Sequence, residues 1–321
     1  MRRLSLFSVL ACSVALYTAA TVESAPGVQQ GKAMGAEGQF AYCDQLTPAH
    51  SDLFSSYARL TSERGQEPRE PELGQVHEDL PASAKGKAGK QFKATVPVYF
   101  HVVTPDGTLA NLADAQIANQ ITVLNRTFAG GEGGANTGFS FRLAAVTRTT
   151  NAAWFYTGPG GTDEHSMKRA LHAGGANALN IYSTTAGPYL GWAYLPEIVN
   201  KPGQAYLDGV VVDWESWIGT STTYVGRYDQ GETGTHEVGH WLNLEHTFFG
   251  GCNAKGDFVD DTPAMKVPTS GCPEGKDTCR EPGLDPIHNY MDYSYDQCYT
   301  EFTPGQAQRM KDAWLYYRAN G

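Results

Sequence analysis

Residues 236–246 carry the clearest chemical signal in the chain, because they read His-Glu-Val-Gly-His-Trp-Leu-Asn-Leu-Glu-His. On a helix, side chains four residues apart lie on one face, so His236 and His240 can bind one zinc ion together. Glu237 projects beside that ion, where it can act as general base toward a water molecule. With His246 as third ligand, one zinc position stays open, which is typical of a catalytic site. The spacing therefore predicts a hydrolytic zinc centre.

The third histidine constrains the backbone that precedes it. His246 lies six residues after His240, so the helix must end near residue 243 and the chain must turn back. The extended form of this motif has a glycine at the turning point, where this chain has Asn243. Asparagine tolerates the left-handed conformation at a cost on the order of 1 kcal/mol or less. We therefore expect a positive φ at Asn243 and an intact set of zinc ligands.

A second motif follows the histidines, where residues 289–293 read Asn-Tyr-Met-Asp-Tyr. A methionine in a tight turn at this place, a Met-turn, is predicted to form an apolar floor beneath the metal. Most methionines are simply core residues, but the position of Met291 after three histidines disfavours the alternative of a helix with solvated histidines. We expect Glu237 to move the proton from water to the leaving amine, while zinc and Tyr293 stabilise the oxyanion.

Hydrophobic periodicity predicts the elements that position these residues. Alternating apolar residues predict a first strand, and apolar residues at three- and four-residue steps predict a first long helix. The chain from 246 to about 300 is irregular and rich in Gly, Pro, Asp and Cys. The predicted strands are 93–103, 139–146, 178–183 and 207–213, and the predicted helices are 114–128, 165–172, 232–242 and 303–318.

The first residues have the form of an export signal. Arg2 and Arg3 precede an apolar stretch at 4–17, and Ala19 and Ala20 offer a cleavage site, so residues 1–20 are predicted to be a signal peptide. The stretch is short for a membrane span, which disfavours the alternative of a signal anchor and predicts no stable membrane insertion. A net charge of −10 argues against a nucleic-acid partner. We expect a secreted extracellular monomer that acts on protein and peptide substrates.

Composition divides the remaining chain. Residues 21–90 are polar and poor in strand-like runs, and we interpret them as a propeptide with a flexible linker at 82–90; a disordered arm is the alternative. The catalytic domain is predicted at 91–321, with subdomains 91–246 and 247–321. Four cysteines cluster in the second subdomain, an even number that predicts two disulfides. A structural zinc site is the alternative, although the cysteines lack paired Cys-x-x-Cys spacing.

Seven segments, in consistent order, resemble the pappalysin family of metzincins, in its fungal and bacterial extracellular branch, the cytophagalysins. The resemblance extends over residues 92–321. It implies an α+β fold in which an N-terminal subdomain has a twisted mixed sheet and the active-site helix, and an irregular disulfide-tied C-terminal subdomain ends in a helix. The activity implied is that of a zinc metalloendopeptidase. The matching segments are 96–102, 190–193 with Pro196, 208–212, 236–246, 246–248, 260–263 and 289–293.

The same resemblance implies further site residues. It implies the disulfides Cys252–Cys279 and Cys272–Cys298. It implies a calcium ion near Asp257, Asp260 and Thr262, where oxygen ligands suit calcium; a solvated Asp-rich turn is the alternative.

Some relatives silence the zymogen with a propeptide cysteine bound to zinc. Cys43 is the candidate for this cysteine switch in the present chain, and a free or intermolecular thiol is the alternative.

Three points of function remain open at this stage. The resemblance implies that the segment after the Met-turn, with Asp296 and Gln297, lines the pocket for the residue after the cut bond. Asp296 there would attract Arg or Lys, and the alternative is that it faces elsewhere. Asn125 begins a glycosylation sequon on the helix at 114–128. The competing functions are a catalytically impaired binding protein on a metzincin scaffold and a small-molecule zinc hydrolase, and the intact Glu237 argues against the first.

Overall fold

The computed structural model describes Leu73, Gln75 and residues 77–86, 92–253 and 256–321. Cys43 and the predicted signal peptide lie outside these residues. The strands are β1 Ala94–Thr104, β2 Phe139–Thr150, β3 Leu179–Thr184, β4 Gly191–Ala193 and β5 Val210–Asp213. The helices are α1 Asp114–Phe128, α2 Ala152–Phe155, α3 Thr162–Leu171, α4 Glu232–Trp241 and α5 Pro304–Ala313. Each predicted strand and helix is present, and β4 and α2 were not predicted.

The five strands form one mixed sheet in the order β2-β1-β3-β5-β4. Strands β2, β1, β3 and β5 run parallel, and β4 pairs antiparallel with β5 at the edge. Alternate residues of β1 are fully buried and join one core with the apolar stripe of α1. A parallel strand in the middle of a sheet is covered on both faces, and a helix that packs on the sheet buries one apolar stripe. The residues of β1 and α1 fit these two positions. The predicted α+β class with a mixed sheet is confirmed.

Helix α4 lies inside the molecule, because every residue from Glu232 to Trp241 is buried. It packs against β4, β5 and α1, and Val238 and Trp241 belong to the main core. Gly231 starts the helix at φ 91°, and a side chain there would collide with the Gln120 amide. The helix that carries the histidines is therefore held rigidly on several sides.

The C-terminal subdomain has little regular structure before α5. The disulfides Cys252–Cys279 and Cys272–Cys298 are both formed, with Cα–Cα distances of 5.6 and 5.8 Å, which confirms the implied pairing. Helix α5 starts at a capping box, and its end continues as a π-helical turn, so the predicted helix at 303–318 is two segments. In that turn the buried Arg318 forms two ion-pair hydrogen bonds with Asp208, each 2.9 Å long.

The segment 77–86 packs against the catalytic domain. Leu80 and Ala84 are buried and form a small apolar cluster with Ala313. Asp79 pairs with Arg309 at 3.0 Å. Within the predicted linker at 82–90, Ala84 is thus packed against α5 while residues 82, 83, 85 and 86 are exposed, and the linker stays a prediction.

No helix among the described residues is long and apolar enough to span a membrane.

Candidate active site

The three histidines of the motif converge on one point. Nε2 of His240 lies 3.1 Å from Nε2 of His236 and 3.2 Å from Nε2 of His246. Among the described residues these three side chains form a group whose ligand atoms lie within 4.8 Å of one another. Helix α4 supplies the first two, and the turn after it supplies the third.

The backbone sets the protonation of two of these rings. Nδ1 of His236 lies 2.5 Å from the carbonyl oxygen of Tyr290, and Nδ1 of His240 lies 2.7 Å from that of Leu244. A carbonyl only accepts, so each Nδ1 must donate, and each Nε2 then directs a lone pair at the common point. Lone pairs at 3.1 Å repel one another unless a cation lies between them. The residues therefore fit a bound metal ion.

The turn that brings in His246 has the conformation predicted for it. Asn243 has φ 78°, in the left-handed region. Its carbonyl oxygen accepts a hydrogen bond of 2.7 Å from Nε of Arg309, which is itself buried. His246 stacks on Phe248 with ring centroids 4.6 Å apart. The third histidine is thus oriented by the turn and by the residues that follow it.

Glu237 lies beside the edge strand of the sheet. A Cβ atom on Gly191, the first residue of β4, would come within 2.6 Å of Oε1 of Glu237. Only a glycine at this position leaves room for the carboxylate, a requirement that has no signal in the local sequence. Glu237 and His236 line the same pocket. Strand β4, the edge of the sheet, therefore borders the site directly.

Met291 lies fully buried beneath the histidines. A Cβ atom on Gly239 would collide with its sulfur, which explains why the motif has a glycine directly before His240. The backbone N–H of Met291 donates to Oδ1 of Asn289, and its carbonyl accepts from Thr247. The turn is therefore held by a hydrogen bond within itself and by one to the segment just after His246. The structure places Met291 where the Met-turn was expected.

Tyr293 lies at the side of the metal position. Its ring centroid is 5.0 Å from that of His246 and 5.8 Å from that of His236. The ring packs on Phe248 at 4.9 Å, edge to face. The structure thus brings both predicted catalytic side chains, Glu237 and Tyr293, to the wall of one pocket.

A small pocket opens beside the histidines. Asp296, predicted beside this pocket, is buried in its wall, and burial raises the pKa of this carboxyl. Gln297 is exposed, and its amide contacts the sulfur of Cys272, so the structure places this residue outside the pocket. The residues around the pocket are Leu190, Gly191, Tyr228, Thr233, His236, Glu237, Asp292, Tyr293, Asp296 and Tyr299.

The candidate calcium residues interact with one another. Oδ1 and Oδ2 of Asp257 accept hydrogen bonds of 2.7 and 2.8 Å from the Thr262 hydroxyl, and burial raises the pKa of Asp257 to about 7. Asp260 is exposed and lies at a surface cavity that Asp261 also lines. The metal-type clusters among the described residues do not include these three, so calcium stays a prediction.

Asn125 uses its whole side-chain amide within the fold. Nδ2 donates to the carbonyl oxygens of Ile121 and Phe141, and Oδ1 accepts from the N–H of Phe141. A glycan on Nδ2 would weaken both donated bonds, of which the one to Phe141 links α1 to β2. Asn125 is half-buried, and its Nδ2 atom already donates two hydrogen bonds in the folded chain. Glycosylation at Asn125 stays a prediction.

The comparisons with known proteins agree with this geometry. The fold and the converging histidines define a metallopeptidase of the zincin type. The family model described as pregnancy-associated plasma protein-A, the peptidase M43 family, matches residues 216–314. An extracellular metalloprotease of Colletotrichum graminicola is 45% identical over 230 residues, which are 70% of this chain and 78% of that protein.

Two solved structures extend the likeness to three dimensions. Mature mirolysin of Tannerella forsythia, in complex with a cleaved peptide, is 32% identical with a TM-score of 0.58, covering 68% of this chain and 90% of that chain. A promirolysin mutant from the same organism is 26% identical with a TM-score of 0.58, covering 87% of this chain and 92% of that chain. The chain belongs to the pappalysin family of peptidases, and it is an extracellular metalloendopeptidase.

Proposed function

We propose that the chain is a zinc endopeptidase in which His236, His240 and His246 bind the metal and Glu237 is the general base. The observation that carries this is the convergence of three Nε2 atoms beside Glu237. A zinc ion bound there would polarise the substrate carbonyl and acidify a water molecule. Glu237 then accepts the proton from that water and donates it to the nitrogen of the leaving amine.

Tyr293 has the second catalytic role in this proposal. Its half-buried ring stands between His246 and the pocket, so that its hydroxyl can donate to the oxygen of the attacked carbonyl. Removal of one donor of this kind costs about 10²–10³ in rate. A Tyr293→Phe variant should therefore lose a factor of about 10² or more in kcat and retain the zinc ion.

The substrate is an extended peptide that pairs with β4 along the edge that no other strand among the described residues occupies. This edge adjoins Glu237 through Gly191, and exposed sheet edges bind peptides by adding a strand. The side chain after the cut bond enters the pocket beside the histidines, where Asp296 favours Arg or Lys. Pairing orients the backbone, and the pocket selects the side chain.

The N-terminal segment covers part of that edge. The Gln75 side chain donates to the carbonyl of Ala193 and accepts from the N–H of Leu195 at the end of β4. A propeptide that blocks these groups would keep the enzyme latent until it is cut, and the likeness to promirolysin supports a zymogen. The role of Cys43 in latency is part of this proposal; Cys43→Ala should speed activation, and unchanged latency would contradict the switch.

Cleavage by the activated enzyme tests the proposed function. A peptide library digested before and after zinc chelation, and again after zinc is restored, gives both the activity and the sequence preference. We expect internal cleavage that chelation abolishes and zinc restores. Cleavage that survives chelation, or the absence of cleavage with one zinc bound per chain, would contradict the proposal. For calcium, a rise in Tm on addition of calcium that is absent in Asp257→Asn would support the site.

A further inference from the structure

Two carboxyl groups meet at the inner wall of the pocket. Asp296 lines the pocket, and its Oδ2 atom accepts from the N–H of Gln230, two residues before Glu232, the first residue of α4, so that the two carboxyls interact electrostatically. Both side chains are almost fully buried, with 3% and 2% of their surface exposed. Buried acidic residues need a donor for each oxygen or a proton of their own.

The donors around this pair satisfy only half of its oxygens. Oδ2 of Asp296 accepts from the N–H of Gln230 at 2.8 Å, and Oε1 of Glu232 accepts from Arg126 at 2.8 Å. Oδ1 of Asp296 and Oε2 of Glu232 are buried without a donor among the described residues. A proton held between the two carboxyls supplies the missing donor, since a protonated carboxyl donates and a carboxylate accepts.

The surroundings keep that proton in place. Burial raises the pKa of Glu232, and the neighbouring Asp296 raises it further, while Arg126 lowers it. Arg126 is partly exposed and pairs with Glu132 at 2.9 Å as well as with Glu232. Its positive charge is therefore shared between two carboxylates and stabilises ionised Glu232 less. Among the described residues, the titratable and charged groups near the pair include Arg126 and Glu132 from α1 and its following loop, Asp229 and Tyr228 before α4, and Tyr290 and Tyr299 around the Met-turn. His236, Glu237, Asp292 and Tyr293 line the same pocket as Asp296.

We propose that Glu232 is a positioning residue for substrate selection that acts through Asp296: the two carboxyls share one proton, and a basic side chain after the cut bond displaces it to solvent on entering the pocket. The inference rests on the proposed endopeptidase function. An arginine side chain brings a fixed positive charge and several donors, so it replaces the lost proton in charge and in hydrogen bonding.

A distinctive pH dependence follows from two acids in one pocket. In acid, both carboxyls are protonated and the pocket distinguishes poorly between arginine and a neutral side chain of the same shape. As the pH rises, the pair loses its protons in two steps that belong to the pair as a whole. The preference for arginine should therefore keep rising to alkaline pH, by up to roughly tenfold per pH unit for each proton displaced.

The test compares two peptides that differ only in having arginine or citrulline after the cut bond. Their kcat/KM ratio is measured between pH 5.5 and 9, and titrations common to both peptides cancel in the ratio. For the wild type, we expect a ratio that still rises between pH 8 and 9. For Glu232→Gln, we expect one step followed by a plateau, with a ratio at least tenfold lower than the wild-type ratio at pH 9. Glu232→Asp should restore the rise.

Glu132→Gln is the matched control, because Glu132 also pairs with Arg126 but does not line the pocket. It should keep a ratio that still rises at alkaline pH, with the rise moved to lower pH because loss of the Glu132 charge lowers the pKa of Glu232. Superimposable profiles for wild type and Glu232→Gln would overturn the inference, and so would an equal change in Glu132→Gln, which would assign the effect to Arg126 alone. An enzyme that cleaves neither peptide would instead contradict the proposed function.

A second measurement decides the matter if Glu232→Gln does not fold. The Glu237→Gln variant is titrated calorimetrically with the arginine peptide at neutral pH in two buffers of different ionisation enthalpy. Release of about one proton per bound peptide, and none with the citrulline peptide, supports the shared proton. Equal release with both peptides overturns it.

Discussion

The two halves of the catalytic domain, residues 92–246 and 247–321, are stabilised by different means. In the first, strands and helices bury a continuous apolar core around β1 and α4. In the second, the stretch before α5 is held by two disulfides and by buried carboxylates, such as Asp285, that bind loop donors. The first half holds the three histidines, two of them on α4, and the second supplies the Met-turn and part of the pocket wall. The active site lies where the two halves meet.

The largest effect on stability should come from truncation in the first half. Phe100 has 0% exposure and packs on Trp217 with ring centroids 5.5 Å apart. Phe100→Ala should cost about 3–5 kcal/mol in the free energy of unfolding, because the cavity cannot close. Urea unfolding measures the loss. Phe249→Ala, at a half-buried position in the second half, is the control and should cost clearly less.

Loss of a disulfide should weaken the second half by a comparable amount. The pair Cys272–Cys298 closes a loop with a sequence separation of 26 residues, for which loop entropy predicts about 3–4 kcal/mol. The double alanine variant should unfold at lower urea and bind substrate poorly, because Cys298 lies two residues after Asp296. The same change at Cys252 and Cys279, far from the pocket, should cost similar stability but leave KM nearly unchanged. Equal effects on KM would contradict this division.

Acid should act on the first half through one buried histidine. His101 is hydrogen-bonded to Asn180 and Thr147, and burial lowers its pKa to about 4. The unfolded chain therefore binds more protons than the folded one between about pH 6.5 and 4, so stability is full above pH 6.5 and falls as the pH drops. The loss should reach about 2–3 kcal/mol. Unfolding of His101→Gln across this range should show a smaller slope; an unchanged slope would contradict the assignment.

The smallest effect is expected at the junction of the halves. Asn243 has a positive φ, and its Nδ2 atom is buried without an acceptor among the described residues. Asn243→Gly should change stability by less than about 1 kcal/mol, whereas Asn243→Ala should cost about 1–2 kcal/mol through its left-handed conformation. Thermal unfolding distinguishes the two, and zinc content should stay the same. A larger loss in the glycine variant would mean that the asparagine side chain itself supports the site.

The sequence alone predicted the features that depend on hydrophobic periodicity or on the spacing of a motif. The bounds of α1 were predicted correctly, because Ile117, Leu124 and Phe128 recur at helical spacing. The positive φ at Asn243 followed from the position of His246. The disulfide pairing came from family resemblance, since spacing alone allows other pairings.

Other features carry no local pattern. Strand β4 has only three residues, too few to show alternation, yet it borders Glu237. The contact between Glu232 and Asp296 joins positions 64 residues apart, and an acidic residue at a helix start is ordinary. The docking of 77–86 depends on Leu80 and Ala84 in a polar stretch. Each is decided by tertiary packing.

Zinc content measured together with peptide cleavage, in the wild type and in Glu237→Gln, tests the central claim most directly. Elemental analysis should give one zinc per chain in both proteins, because Glu237 is not a ligand, while cleavage should fall by several orders of magnitude in the variant alone. Cleavage by Glu237→Gln at the wild-type rate, or an active wild type without zinc, would contradict the account.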